Sequence, residues 1–199
     1  MTDAQPAQRR RDPEEKRERL LAAARQLFIA QGFDKTTTKQ IASTSGVSEG
    51  ILFHQFGSKV GVLKALIYAF AEGAVAAFTR GELAERTTDV ILRRLIDYIE
   101  KDQGAYNLIL DHPALLRENN IPTVAELIVP EIEKSIRAFF PDDSTFPADP
   151  GIMAEFQFSI VEVTCRGWMA SGSEAEKEAF FREGVRSMNA LLNVRRISR

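Results

Sequence analysis

The stretch "IASTSGVSEGILFHQF", residues 41–56, decides how this chain is read. A single glycine, Gly46, stands between two short amphipathic runs, and a hydroxyl residue precedes each run. Thr37 can cap a helix from Thr38 to about Ser45, and Ser48 can cap another over about 49–55. Isolated helices of about two turns are marginal in water, so tertiary packing must hold this pair. Ala42 is small enough to let the following helix cross closely, and Gly46 can take the positive φ that ends a helix abruptly. Ile41, Val47 and Leu52 supply the apolar groups of a small shared core. Two helices joined through a short glycine-containing turn form a helix-turn-helix, whose second helix suits the major groove of DNA.

Outward from this pair the pattern is helical nearly throughout, with turn signals at helix-length intervals and no strand-like alternation. Asp12 before Pro13, Glu14 and Glu15 reads as a cap, a first-turn proline and an acidic first turn. Leu20, Ala24, Leu27 and Phe28 mark the apolar face of that helix, which Gly32 closes. Ser58 caps a fourth helix with a face of Leu63, Leu66, Ile67, Phe70, Ala74 and Phe78. Beyond Arg80, helices are expected at roughly 87–102, 104–117, 122–140, 150–171 and 174–194, with Pro130 kinking or splitting the third of these. The segment "PDDSTFPADP", residues 141–150, reads as an exposed loop.

The chain has 199 residues, 44% hydrophobic and 27% charged, which suffices for a sizeable core. No apolar run near the roughly 20 residues of a membrane span is apparent, and no apolar segment follows the N-terminal arginines, so neither a membrane partner nor a signal peptide is expected. Cys165 is the only cysteine and cannot form an internal disulfide, which fits the cytoplasm. His54 and His112 lack partners at ligand spacing, so neither a metal nor a cofactor is expected. Residues 1–64 carry 11 Lys/Arg against 7 Asp/Glu, and the remainder carries 15 against 21. A basic front on an acidic body suggests that the front meets a polyanion.

The longer stretch "LFIAQGFDKTTTKQIASTSGVSEGILFHQFGSKVGVLKAL", residues 27–66, combines several motifs. They are an aromatic–Gly–aromatic helix end, a threonine run, Ala-x-x-x-Gly-Val-Ser, Gly-x-Leu-aromatic and Phe-x-Ser-Lys. Over about residues 14–66 it resembles the N-terminal domain of the TetR family of bacterial transcriptional repressors. The resemblance implies an all-α fold in which a three-helix helix-turn-helix domain is joined by a long helix to an antiparallel helical ligand-binding and dimerisation domain. The expected divisions are a flexible basic tail at 1–12, the DNA-binding domain at 13–57 and the effector-binding and dimerisation domain at 58–199. It also implies a homodimer, operator DNA and a small-molecule effector as partners.

Carried onto this chain, the resemblance places Thr38 and Lys39 at the DNA-facing start of the second helix. Ser48, Glu49, Gly50 and Ile51 open the recognition helix, Phe53, His54 and Gln55 fall at phosphate-contact positions, and Lys59 faces the backbone from the fourth helix. Phe53 lacks the hydroxyl of the tyrosine common there, and Ile51 offers apolar contact to a thymine methyl. Glu49 has two readings, accepting from a cytosine amino group or capping its helix. Arg9, Arg10 and Arg11 likewise read either as a minor-groove arm or as a solvated tail.

In the body, the 150–171 helix is apolar nearly all round, with Ile152, Met153, Phe156, Phe158, Ile160, Val161, Val163, Cys165, Trp168 and Met169, so it must be covered on more than one side. Its polar residues Glu155, Ser159, Glu162 and Arg166 form one stripe in which Glu162 and Arg166 can pair. Phe181, Val185, Met188 and Leu192 on the last helix have the same spacing, and the two helices paired with their symmetry mates are the expected dimer interface, with an intramolecular core as the other reading. Tyr106, Leu110, Ile128, Phe158 and Trp168 are the expected ligand-binding set, with Arg93, Arg94 and Arg166 nearby for an acidic group or a glutamate. No nucleophile–base pair, metal cluster or phosphate loop is legible, so no enzyme activity is expected. The reading is a repressor released from its operator by a small, largely apolar effector, against a ligand-independent architectural DNA-binding dimer.

Overall fold

The computed structural model describes residues 6–82, 86–110, 113–139 and 149–192. These form ten α-helices and, among the described residues, no strand: α1 Pro6–Gln31, α2 Thr38–Ser45, α3 Glu49–Phe56, α4 Lys59–Thr79, α5 Thr88–Lys101, α6 Gln103–Leu110, α7 Pro113–Glu118, α8 Val124–Phe139, α9 Pro150–Ala170 and α10 Glu174–Leu192. The all-α expectation holds. They divide into two compact units, a head of residues 1–69 with 107–121 and a body of residues 70–106 with 122–199. The division thus falls inside α4, twelve residues beyond the boundary expected at 57, and the head takes in the 107–121 segment as well.

Several boundaries depart from the sequence reading for local reasons. α1 opens at Pro6 instead of after Asp12, so residues 6–12, expected as part of a tail, are helical. Pro6 tolerates a first helical turn, and Ala, Gln and Arg are strong helix formers, which carries the helix through Pro13 with the loss of one backbone bond. The expected 104–117 helix is two helices, and Pro113 opens the second. α8 instead runs through Pro130 without splitting. The loop expected at 141–150 and His112 lie largely outside the described residues, but the loop's end is seen. The Asp149 carboxylate there accepts from the Gly151 and Ile152 amides at 2.8 and 3.2 Å, with Pro150 in the first turn of α9.

α4 corrects the expectation that no segment is long and apolar enough to span a membrane: an 18-residue stretch within its 21 residues reaches a mean hydropathy of 1.6. Lys64 and Glu72 hid it, because they interrupt the apolar run while the alanines between them keep the average hydropathy high. Its large side chains are core groups. Val62, Leu63 and Ile67 are buried in the head, where Leu20, Phe28, Phe33, Ile41 and Leu52 are also buried. Ala71, Ala74 and Phe78 join the body core with Ile91, Leu95, Ile128, Ile132, Ile136, Met153 and Ala154.

Candidate functional site

The two short helices of the head are held from both ends. Thr37 and Gln40 form a capping box: the Thr37 side chain accepts from the Gln40 amide at 3.2 Å, and the Gln40 side chain accepts from the Thr37 amide at 2.9 Å. At the other end Gly46 sits at φ +64°, and the Val47 amide reaches back to the Ala42 carbonyl at 3.2 Å. A side chain at Gly46 would also place its Cβ 2.7 Å from an Arg19 guanidinium nitrogen. That guanidinium donates to the Ser45 carbonyl at 2.6 Å, tying α1 to the turn. Sequence reasoning missed Arg19, since nothing local marks a contact 26 residues away.

The α3 face presents Ser48, Gly50, Phe53 and His54 as exposed residues, with Glu49 and Ile51 half-buried. Ser48 caps the helix, accepting from the Ile51 amide at 3.4 Å. Lys39 is exposed on the first turn of α2. Thr38 donates its hydroxyl to the Glu49 carboxylate at 2.6 Å, joining the starts of α2 and α3.

Two expected DNA contacts turn inward. The Lys59 ammonium donates to the Phe33 carbonyl at 2.8 Å and to that of Asp34 at 3.4 Å, 4.2 Å above the Phe33 ring. It closes the end of α1 and holds the head together. Gln55 donates to the Pro13 carbonyl at 3.1 Å, and its own amide oxygen is buried. With Arg17 lying 5.1 Å over the Phe56 ring, Gln55 fastens the end of α3 to α1. Both residues can reach a neighbouring carbonyl from the helix face that the close crossing turns inward.

Of the five expected ligand residues, Leu110 falls in the head and the other four in the body, where their surroundings differ. Ile128 and Phe158 pack with the core of α4, α5, α8 and α9. Trp168 is instead pinned between α5 and α10: its indole N–H donates to Glu100 at 2.7 Å, and Arg93 lies 5.3 Å over its ring. Arg93 also stacks 3.8 Å over Phe181 and bonds Glu178 at 3.2 Å. Trp168 is thus a packing residue at a helix junction, not an open pocket wall. Leu110 ends α6, and its side chain lies outside the described set.

Tyr106 differs from the other four. Its ring lies 6.2 Å from that of Phe70, and its hydroxyl is buried, with the Arg166 guanidinium beside it. Burial, followed by the nearby Cys165 and Glu162, pushes its pKa up to about 12, against the opposing influence of Arg166, which pairs with Glu162. Burial alone pushes the Cys165 thiol up to about 12. Both groups ionise more readily once unfolded, so stability should be intact below about pH 9 and fall as pH rises toward about 12. Thermal melts across that range should show the fall, with a smaller drop in a Cys165→Val variant.

The expected interface on α10 is partly corrected. Met188 is buried inside the single chain, and Phe181 lies under Arg93, because α10 packs against α9 and α5 along that stripe. Val185 and Leu192 remain half-buried. On α9 and α10 the exposed large apolar groups are Ile152, Phe156 and Val163, 56, 56 and 65% exposed, and Phe180 at 41%. The first three recur at intervals of four and seven residues, hence on one face. Sequence reading named these three among the apolar residues of a helix requiring cover on several sides and placed that helix beside the last one in the expected interface.

Residues 20–66 match the model of the family described as "Bacterial regulatory proteins, tetR family". An uncharacterized HTH-type transcriptional regulator, YvkB of Bacillus subtilis, is 38% identical over 102 residues, covering 50% of this chain and 53% of that protein. HTH-type transcriptional regulator SrpR of Pseudomonas putida is 30% identical over 93 residues, covering 47% and 44%. The matches thus span about half the length of these curated relatives. Across the fold, a TetR-family regulator structure from Syntrophomonas wolfei superposes with a TM-score of 0.71 at 16% identity, covering 94% of this chain and 99% of that one. A SmeT–triclosan complex superposes at 0.58 and 20% identity, covering 89% and 90%. The capped and glycine-turned helix pair thus lies within the segment that matches the tetR family model, and the chain as a whole shares the all-α fold of the solved TetR-family structures.

Proposed function

We propose that this protein is a cytoplasmic, sequence-specific DNA-binding transcriptional regulator, acting as a homodimer and released as a repressor from its operator by a small, largely apolar effector. The observation that carries the DNA reading is the rigid presentation of α3. Its exposed Ser48, Gly50, Phe53 and His54 stand beside Lys39, on helices held by the Thr37–Gln40 box, Gly46 and Arg19. Binding of the full chain to its best palindromic site should weaken steeply with salt, by roughly 0.9 logarithmic units per phosphate contact for each tenfold rise. Lys39→Ala should flatten that slope. Lys59→Ala should instead lower head stability, since its ammonium satisfies carbonyls at the end of α1. Affinity that barely changes between low and physiological salt would falsify this reading.

The homodimer is supported by the α9 face of Ile152, Phe156 and Val163, which a symmetry mate can cover. The effector reading is supported by the buried polar hydroxyl of Tyr106 in the body and by the triclosan bound by the SmeT neighbour. α4 supplies a route for coupling, since it starts at Lys59 in the head and ends at Thr79 in the body. An effector shifts the equilibrium only by its difference in affinity between two states, typically about 1–3 kcal/mol, and operator must change effector affinity by the same factor. Calorimetric titrations of triclosan with and without operator test this reciprocity. A heat of binding that is unchanged by operator, with the same affinity, favours the architectural dimer.

A further inference from the structure

The contact between Thr38 and Glu49 separates the two sequence readings of that glutamate. Ser48 already caps α3, so Glu49, one residue further on, is not needed as the cap. Its carboxylate lies in the first turn of α3, at the positive end of the helix. One carboxylate oxygen accepts the Thr38 hydroxyl at 2.6 Å. The bond crosses from α2 to α3, eleven residues apart, and holds a long side chain in one place before anything binds. The neighbouring position is open: nothing of the protein lies within 4 Å of where a Cβ on Gly50 would stand, and Ser48 is exposed.

We propose that Glu49 is the base-selecting residue of the recognition helix, with Thr38 as its positioning residue, and that it selects cytosine in each half-site. The proposal rests on the DNA-binding reading above. A carboxylate only accepts hydrogen bonds. In the major groove cytosine offers an amino donor, whereas guanine presents two acceptors at N7 and O6, and thymine presents O4 and a methyl group. Adenine offers one amino donor, but beside an acceptor that repels the second oxygen. A wrong base therefore confronts a partly desolvated charge with lone pairs, and rejection of that base contributes as much to specificity as attraction to cytosine does. The Thr38 bond occupies one oxygen, leaves the second as the acceptor this proposal assigns to the base, and removes rotamer freedom in advance.

The test uses the full chain and three variants, Glu49→Gln, Thr38→Val and Thr38→Ser, in selection from a randomised duplex pool. Competitive affinities follow for the best site and its single-base changes, with melting curves to confirm equal folding. Wild type should enrich cytosine at one position per half-site and bind the thymine version about tenfold more weakly, equivalent to about 1.4 kcal/mol. Glu49→Gln should move that one position toward adenine, because an amide both donates and accepts, while the rest of the motif stays. Thr38→Val should narrow the cytosine preference to about threefold, and Thr38→Ser, which keeps the hydroxyl, should restore it. An enriched motif that Glu49→Gln leaves unaltered overturns this inference while the DNA-binding reading stands. Equal loss of preference in Thr38→Val and Thr38→Ser overturns the positioning role. A wild-type pool with no enriched motif overturns both readings.

Discussion

A chain carrying glutamate at both Phe156 and Val163 should sediment as a monomer at concentrations where the parent is a dimer. Both side chains are more than half exposed on one face of α9, so the single chain folds without them. Burying a large apolar side chain contributes about 1.5–3 kcal/mol, and two-fold symmetry counts each residue twice. A glutamate in that place loses the contribution and adds an unpaired carboxylate taken out of water, at a cost of several kcal/mol. The monomer retains its reading head but can no longer span two half-sites, so operator affinity should fall by roughly 10²–10⁴. The melting transition of the body should change far less than that of a Met188→Glu variant, whose charge enters the protomer's own core. A double variant that still sediments as a dimer removes α9 from the proposed interface.

Replacing Gly184 by leucine should lower the unfolding midpoint of the body by roughly 10 °C. Alanine there gains about 1 kcal/mol of helix propensity. Against that, its Cβ would stand 2.4 and 2.8 Å from Thr164 side-chain atoms and 3.0 Å from a Leu92 methyl. Thr164 is buried, stiff about χ1, and donates its hydroxyl to the Ile160 carbonyl at 2.7 Å, so it yields poorly. Overpacking of this kind costs about 1–3 kcal/mol and grows with side-chain size, so the clash outweighs the propensity gain, narrowly for alanine and clearly for leucine. At roughly 2–4 °C per kcal/mol for a chain of this length, calorimetry resolves the difference. Gly172→Ala is the control, since only the Glu176 side chain lies within 4 Å there. A leucine variant that melts with the parent would show that α9 and α10 are not closely packed at this point.

The helix-turn-helix was legible because its information is local. Thr37 and Gln40 lie three residues apart, Gly46 must adopt positive φ where it stands, and Ser48 caps the helix that begins beside it. Such choices depend on backbone sterics and on hydrogen bonds within one or two turns, which a linear pattern records. The all-α character and most helix ends were legible for the same reason. Where the reading failed, the deciding partners lay elsewhere in the chain. Lys59 and Gln55 occupy positions suited to phosphate, yet carbonyls 25 to 42 residues away turn them inward. The apolar stripes of α9 and α10 are equally hydrophobic on paper. Only packing against α5, with Gly184 admitting Thr164 and Leu92, commits Met188 and Trp168 to the protomer and leaves Ile152, Phe156 and Val163 uncovered. By itself, then, the sequence determined the helices, their caps and the reading head, because short-range sterics and hydrogen bonding specify them. Tertiary structure alone decided which face each helix presents and which polar groups are already bonded, since burial and partnership depend on residues that only the fold brings together.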